Sequence, residues 1–208
     1  HDLAKNTLVI FSSDNGPEVP TTIAMRRDHK HDGARPWRGV KRDQWEGGHR
    51  VPFIARWPGR IPAGRTADQT ICLTDLLATA AAITESKIPN NAGEDSFNIL
   101  PALLGGNEPV REYTLHQTIS LSLAIRQGDW KYLDHKGSGG SNYNRDGEWG
   151  LKQYALPEQA PEAPGQLYNL KDDPGETKNL YFKEPGLRKR LKTKLEELKK
   201  SGRSAPKK

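Results

Sequence analysis

The chain of 208 residues contains one cysteine, one methionine and no apolar run approaching the ~20 residues that a membrane-spanning helix needs. A lone Cys72 excludes an internal disulfide framework and a cysteine-built zinc site. Hydrophobic residues make up only 34% of the chain, and the mean hydropathy is −0.83. Five Trp, six Tyr and four Phe nonetheless supply enough large apolar surface to argue against a wholly disordered chain. A folded protein with long polar loops is expected. The opening residues His1-Asp2-Leu3-Ala4-Lys5 do not have the make-up of a signal peptide.

The formal net charge of +6 raises nucleic acid as a partner, so the position of the charge matters. Between Lys183 and Lys208 there are eleven Lys/Arg against three Glu, and the rest of the chain is slightly acidic. The excess belongs to a tail and fits a solvated helix face better than a polyanion groove. No nucleic-acid partner is expected.

Thr7 to Phe11 is a short apolar run rich in β-branched and aromatic residues, the pattern of a strand buried on both faces of a mainly parallel sheet. It runs into Ser12-Ser13-Asp14-Asn15-Gly16-Pro17, and the carboxyl ends of such strands are where open α/β sheets place ligands. Glu18 to Gln44 is polar and aperiodic and reads as a long loop. Val51 to Trp57 reads as a second strand closed by Pro58-Gly59, and Thr74 or Asp75 can cap an amphipathic helix running to Ile83. A short helix over 99–104 should stop at Gly105-Gly106.

Beyond Arg111 the pattern changes to short alternating segments at 121–126, 130–133 and 166–170, separated by Gly/Asp turns, which predicts a small antiparallel sheet. Gly137 to Pro164 is a Gly-, Ser- and Pro-rich loop. Leu187, Leu191, Leu195 and Leu198 form one narrow stripe on a Lys/Glu-rich C-terminal helix. The division expected is an α/β part over 1–110 and a small α+β part over 111–208.

Two segments carry candidate chemistry. Asp14 and Asn15 offer adjacent hard oxygen donors, one charged and one neutral, of the kind Ca²⁺ or Mg²⁺ prefers. The second segment, Arg26 to Arg50, holds eight Lys/Arg, four acids and three His, a balance that favours an anionic ligand. A lysine can hold a tetrahedral anion as a point charge, and an arginine can grip two of its oxygens. Arg50 is expected to pair with Glu46 or another acid.

Taken together, Val9 to Glu18, Arg38-Gly39-Val40-Lys41, Trp45-Glu46-Gly47-Gly48-His49-Arg50-Val51-Pro52-Phe53-Ile54 and Trp57-Pro58-Gly59 resemble the type I sulfatases, the arylsulfatase A-like family. Leu73 to Leu77, Ala124 to Lys131, Gln166 to Leu170 and Asp173-Pro174-Gly175-Glu176 are similar to the C-terminal half of that family, in the same order. The resemblance implies an alkaline-phosphatase-like α/β fold with a mainly parallel sheet and helices, followed by a small antiparallel sheet and a C-terminal helix.

It also implies hydrolysis of sulfate esters of a carbohydrate or aryl compound, with Asp14 and Asn15 on a divalent cation, usually calcium, and Lys41 as the catalytic contact to the sulfate group. Arg38, His49 and His116 are further candidates for substrate contact. By the same resemblance the protein would be periplasmic or secreted.

The family's nucleophile is a formylglycine made from Cys or Ser within Cys/Ser-x-Pro-x-Arg, and no such stretch occurs in this chain. The resemblance therefore implies a C-terminal portion that works with the N-terminal part of the same sulfatase and is inactive alone. A phosphatase or phosphodiesterase of the same superfamily, or a non-catalytic binder of sulfated glycans, is the alternative reading.

Overall fold

The computed structural model describes residues 1–207. Packing groups the chain into two units that interleave in sequence. The first contains 1–13, 52–114 and the residues from Glu196 onward, and the second contains 14–51 and 115–195. The basic segment 14–51 thus packs with the C-terminal half and not with the strand that precedes it.

In the first unit β1 (Val9–Ser12) pairs antiparallel with β2 (Phe53–Arg56), in a register that sets Phe11 opposite Ile54. Val9, Phe11 and Ile54 are exposed. The burial on both faces expected for β1 is therefore not seen, because β2 is its one hydrogen-bonded neighbour among the described residues.

A 3-10 turn at Leu73–Asp75 leads into α3 (Leu76–Ile83), and α4 (Leu100–Leu103) ends before Gly105, whose φ of +108° suits glycine. Asp75 does not cap the helix. Its fully buried carboxylate accepts from the backbone N–H groups of Cys72 (2.8 Å) and Phe97 (2.9 Å) and pairs with buried Arg111.

In the second unit α1 (Val19–His29) occupies part of the segment that reads as a loop in the sequence. Its apolar content is too low to show a periodic stripe, and burial falls on Thr22 and Ile23 alone. Ile23 packs with Val40 and Leu151, and Val19, Tyr143 and Tyr154 lean on them. The helix opens on Glu18, whose side chain accepts from the Val19 N–H, and closes with Arg26, Arg27 and His29 where the helix dipole favours cations.

Strands β3 (Thr114–Gln117), β4 (Leu123–Gln127), β5 (Trp130–Leu133) and β6 (Gln166–Asn169) lie in that order in one sheet. The β4–β5 and β5–β6 pairs are antiparallel. Trp45 inserts among Ala124, Leu133, Tyr168 and Leu170, and its indole N–H donates to Gln166 Oε1 at 3.0 Å. The last helix, α5 (Pro185–Ser201), buries Leu191 and Leu195 from the predicted leucine stripe.

Candidate anion and metal site

The turn Asp14-Asn15-Gly16-Pro17 is seated on α2 (Glu46–His49), a single helical turn. Gly16 N–H donates to Gly48 O at 2.9 Å, and Gly47 N–H donates to Arg38 O at 2.7 Å. A Cβ on Gly16 would stand 1.9 Å from Gly47 O, and one on Gly48 would stand 2.1 Å from Asp43 O. Three stretches of backbone meet here at distances that only glycine allows, which gives the double glycine of the sequence its physical reason.

Pro17 O in turn accepts from the Lys41 N–H at 2.9 Å. The Asp14-Asn15 turn and Lys41, some 27 residues apart in sequence, are therefore joined through one proline carbonyl. The Lys41 ammonium lies 3.4 Å from Glu18 Oε2, and Arg42 grips both oxygens of the same carboxylate at 2.6 and 3.1 Å. Arg42 and the Val19 N–H hold the Glu18 carboxyl at about 2, so it is ionised at any physiological pH.

His49 and His116 are stacked, with ring centroids 3.7 Å apart and an interplanar angle of 22°. His49 Nε2 lies 3.1 Å from Gln44 O and 3.2 Å from the ammonium of Lys131. Burial, the neighbouring His116 ring and the Lys131 charge hold His49 well below the usual imidazole range, so it is a neutral ring.

Beneath the two rings is a charged cluster that the sequence reading did not assemble. Lys131, fully buried on β5, lies 3.0 Å from Glu46 Oε1 and 3.0 Å from Glu176 Oε1. Glu46 Oε2 meets Arg126 at 2.9 Å and Arg50 at 3.1 Å, the latter pairing as expected. Glu176 Oε2 accepts from the Glu46 N–H at 2.6 Å.

Burial works against the charge on Glu46, but Lys131 and Arg126 outweigh it and keep the carboxyl below the usual range. Burial, reinforced by the neighbouring Glu46 charge, pushes Glu176 up to about 7 against the opposing pull of Lys131. On β5 Lys131 is buried together with its neighbours Tyr132 and Leu133, a placement that its sequence position does not signal.

Arg38 stands on the stretch of backbone that leads into the Lys41 turn. Its guanidinium lies 3.5 Å from the centre of the Trp45 ring and donates to Glu176 O at 2.9 Å. The structure brings Asp14, Asn15 and Lys41 to one backbone junction, joins His49 to His116, and commits Arg38 to the packing of Trp45.

As a cation site, the exposed Asp14 carboxylate and half-buried Asn15 carboxamide are hard oxygen donors of the right chemistry. Calcium takes six to eight such oxygens, so these two form part of a donor set. Among the described residues no group of three or more His, Cys, Asp or Glu is gathered to complete it.

A backbone hydrogen bond thus joins the Lys41 turn to the Asp14-Asn15 turn beyond the carboxyl end of β1, in a chain of mixed helices and strands. Comparison with known proteins gives the family. The Sulfatase family matches residues 1–86. N-acetylgalactosamine-6-O-sulfatase of Bacteroides thetaiotaomicron is 32% identical over 200 residues, which cover 95% of this chain and 37% of that protein. Human arylsulfatase A is 35% identical over 184 residues, covering 86% of this chain and 34% of its own length.

A solved structure described with the metabolism of glycosaminoglycans by B. thetaiotaomicron superposes with a TM-score of 0.79 at 31% identity, over 95% of this chain and 40% of that one. The chain belongs to the type I sulfatase family and has its alkaline-phosphatase-like fold. It spans a little over a third of the length of the curated relatives it matches.

Proposed function

We propose that these residues are the C-terminal portion of a sulfuric ester hydrolase acting on a sulfated carbohydrate or aryl sulfate. The observation that supports this reading is the hydrogen bond from the Lys41 N–H to Pro17 O, which joins the turn bearing Lys41 to the Asp14-Asn15-Gly16-Pro17 segment. Lys41 exchanges its partner Glu18 for the sulfate oxygens and offsets the negative charge that grows on them in the transition state.

Asp14 and Asn15 supply two oxygens to a divalent cation, calcium or magnesium, which when bound neutralises the same developing charge. The stacked His49 and His116 rings offer a face for contact with the substrate. The remaining cation ligands and the formylglycine nucleophile belong to the N-terminal part of the same sulfatase. Exposed Val9, Phe11 and Ile54 are consistent with such a covering segment. None of the described helices is long and apolar enough to cross a membrane, and a periplasmic or secreted location follows the family.

The test is Lys41→Ala in the full-length protein, with turnover of 4-nitrophenyl sulfate and of 6-O-sulfated N-acetylgalactosamine measured. Loss of the charge-stabilising amine should lower turnover at least ~100-fold. Wild-type rates in that variant would remove Lys41 from the site.

A further inference from the structure

The turn that presents Lys41 is built around a side chain with no part in binding sulfate. Asp43 N–H donates to Val40 O at 2.9 Å, closing Val40-Lys41-Arg42-Asp43 as a four-residue turn. Arg42, at the third position, has a φ of +81°, a conformation that favours glycine and that the surrounding contacts must hold.

The buried Asp43 carboxylate provides that hold. Oδ2 accepts from the Val40 N–H at 2.9 Å and from the Tyr143 hydroxyl at 2.6 Å, and Oδ1 accepts from the Ser141 N–H at 3.0 Å. Ser141 Oγ in turn donates to the carbonyl of Lys41 itself at 3.2 Å. With its N–H on Pro17, both backbone groups of Lys41 are fixed.

We propose that Asp43 is a positioning residue for the sulfate-contacting amine, acting with Tyr143 and Ser141 of the 137–164 loop to hold the Lys41 turn in one conformation. This rests on the reading of Lys41 given above. Asp43 and Tyr143 touch no substrate. Their effect on the reaction passes entirely through where the Lys41 ammonium is held. The Gly-, Ser- and Pro-rich loop is thereby given a mechanical role as a buttress of that turn.

The test is a double-mutant cycle in the full-length enzyme, using whichever of 4-nitrophenyl sulfate and 6-O-sulfated N-acetylgalactosamine the wild type turns over. Asp43→Asn keeps the size of the side chain and loses acceptor capacity. Tyr143→Phe removes one hydrogen bond and keeps the ring, so it folds even where the first variant does not.

Each should lower kcat/KM about 5- to 50-fold in the wild-type background, with inorganic sulfate inhibiting more weakly, and by less than about 2-fold when Lys41→Ala is already present. Equal losses in both backgrounds, or no loss in the first, overturn the positioning role while leaving Lys41 in place. An unimpaired Lys41→Ala variant instead overturns the reading of the site itself.

Discussion

The ammonium of Lys131 stands 3.0 Å from a carboxylate oxygen of Glu46 and is wholly removed from solvent. One lysine on β5 thus neutralises the helix turn on which the Asp14-Asn15 segment is seated. Breaking a buried ion pair by removing one partner leaves an uncompensated charge, a larger penalty than the pair's net contribution.

Lys131→Met should therefore destabilise the protein by ~3–5 kcal/mol in urea unfolding, since it takes the buried cation from Glu176 and leaves Glu46 with Arg126 and Arg50 alone. Combining it with Glu176→Gln should recover part of the loss. An unchanged midpoint for the single variant would show that the two carboxylates are neutralised elsewhere.

Glu176 gives the fold a pH signature. Its carboxyl is pushed up to about 7 in the folded state, above its value in the unfolded chain, so the folded state binds the extra proton between those two values. The contribution of this group is complete below the ordinary carboxylate range and is lost as pH rises through about 7. His49 has the opposite sign: held low when folded, it contributes above the ordinary imidazole value and loses that contribution as pH falls through it. Glu176→Gln should thus gain stability relative to wild type between pH 5 and pH 8, read by urea unfolding at several pH values. A stability difference independent of pH would refute the assignment.

In the first unit, Asp75 organises the entry to α3 through Cys72, Phe97 and Arg111. Arg111→Met leaves the fully buried Asp75 carboxylate with backbone donors only. A loss of ~3–5 kcal/mol in unfolding free energy is expected. Arg111→Lys should rescue only part of it, since an ammonium cannot reproduce the contacts of a guanidinium.

A methyl group on Gly48 has nowhere to go, because the backbone carbonyl of Asp43 would lie 2.1 Å from it. Gly48→Ala should cost ~3 kcal/mol or more, and by moving the α2 turn it should also displace Gly16 and lower sulfate-ester turnover. Gly59→Ala is the control for space, because a Cβ there meets no atom within 4 Å, although its φ of +79° adds local strain. It should leave turnover unchanged.

Much of the site was legible as local pattern. The Asp-Asn pair, the lysine and the double glycine stand in short motifs whose chemistry can be argued residue by residue. The pairing of Arg50 with Glu46 follows from their i, i+4 spacing. Helix α1 was not legible, because a short helix with two buried residues has no periodic stripe, and tertiary contact with Val40 and Leu151 supplies what propensity does not.

The buried cluster was beyond reach for a different reason. Glu46, Lys131 and Glu176 each read alone as solvated charges. Only the register of β5 turns Lys131 inward, and only the chain path brings two carboxylates to it.

The sequence by itself determined the family, the order of the strands and helices it could mark by apolar periodicity, and the identity of the residues able to hold an anion or a cation, because these depend on side-chain chemistry and short-range spacing. The tertiary structure alone decided that segment 14–51 packs with the C-terminal half, that Arg38 serves Trp45, and that Asp43 and Tyr143 hold the Lys41 turn. Those outcomes depend on long-range approach of backbones at glycine contacts and on desolvation of charges, which no local stretch of sequence encodes.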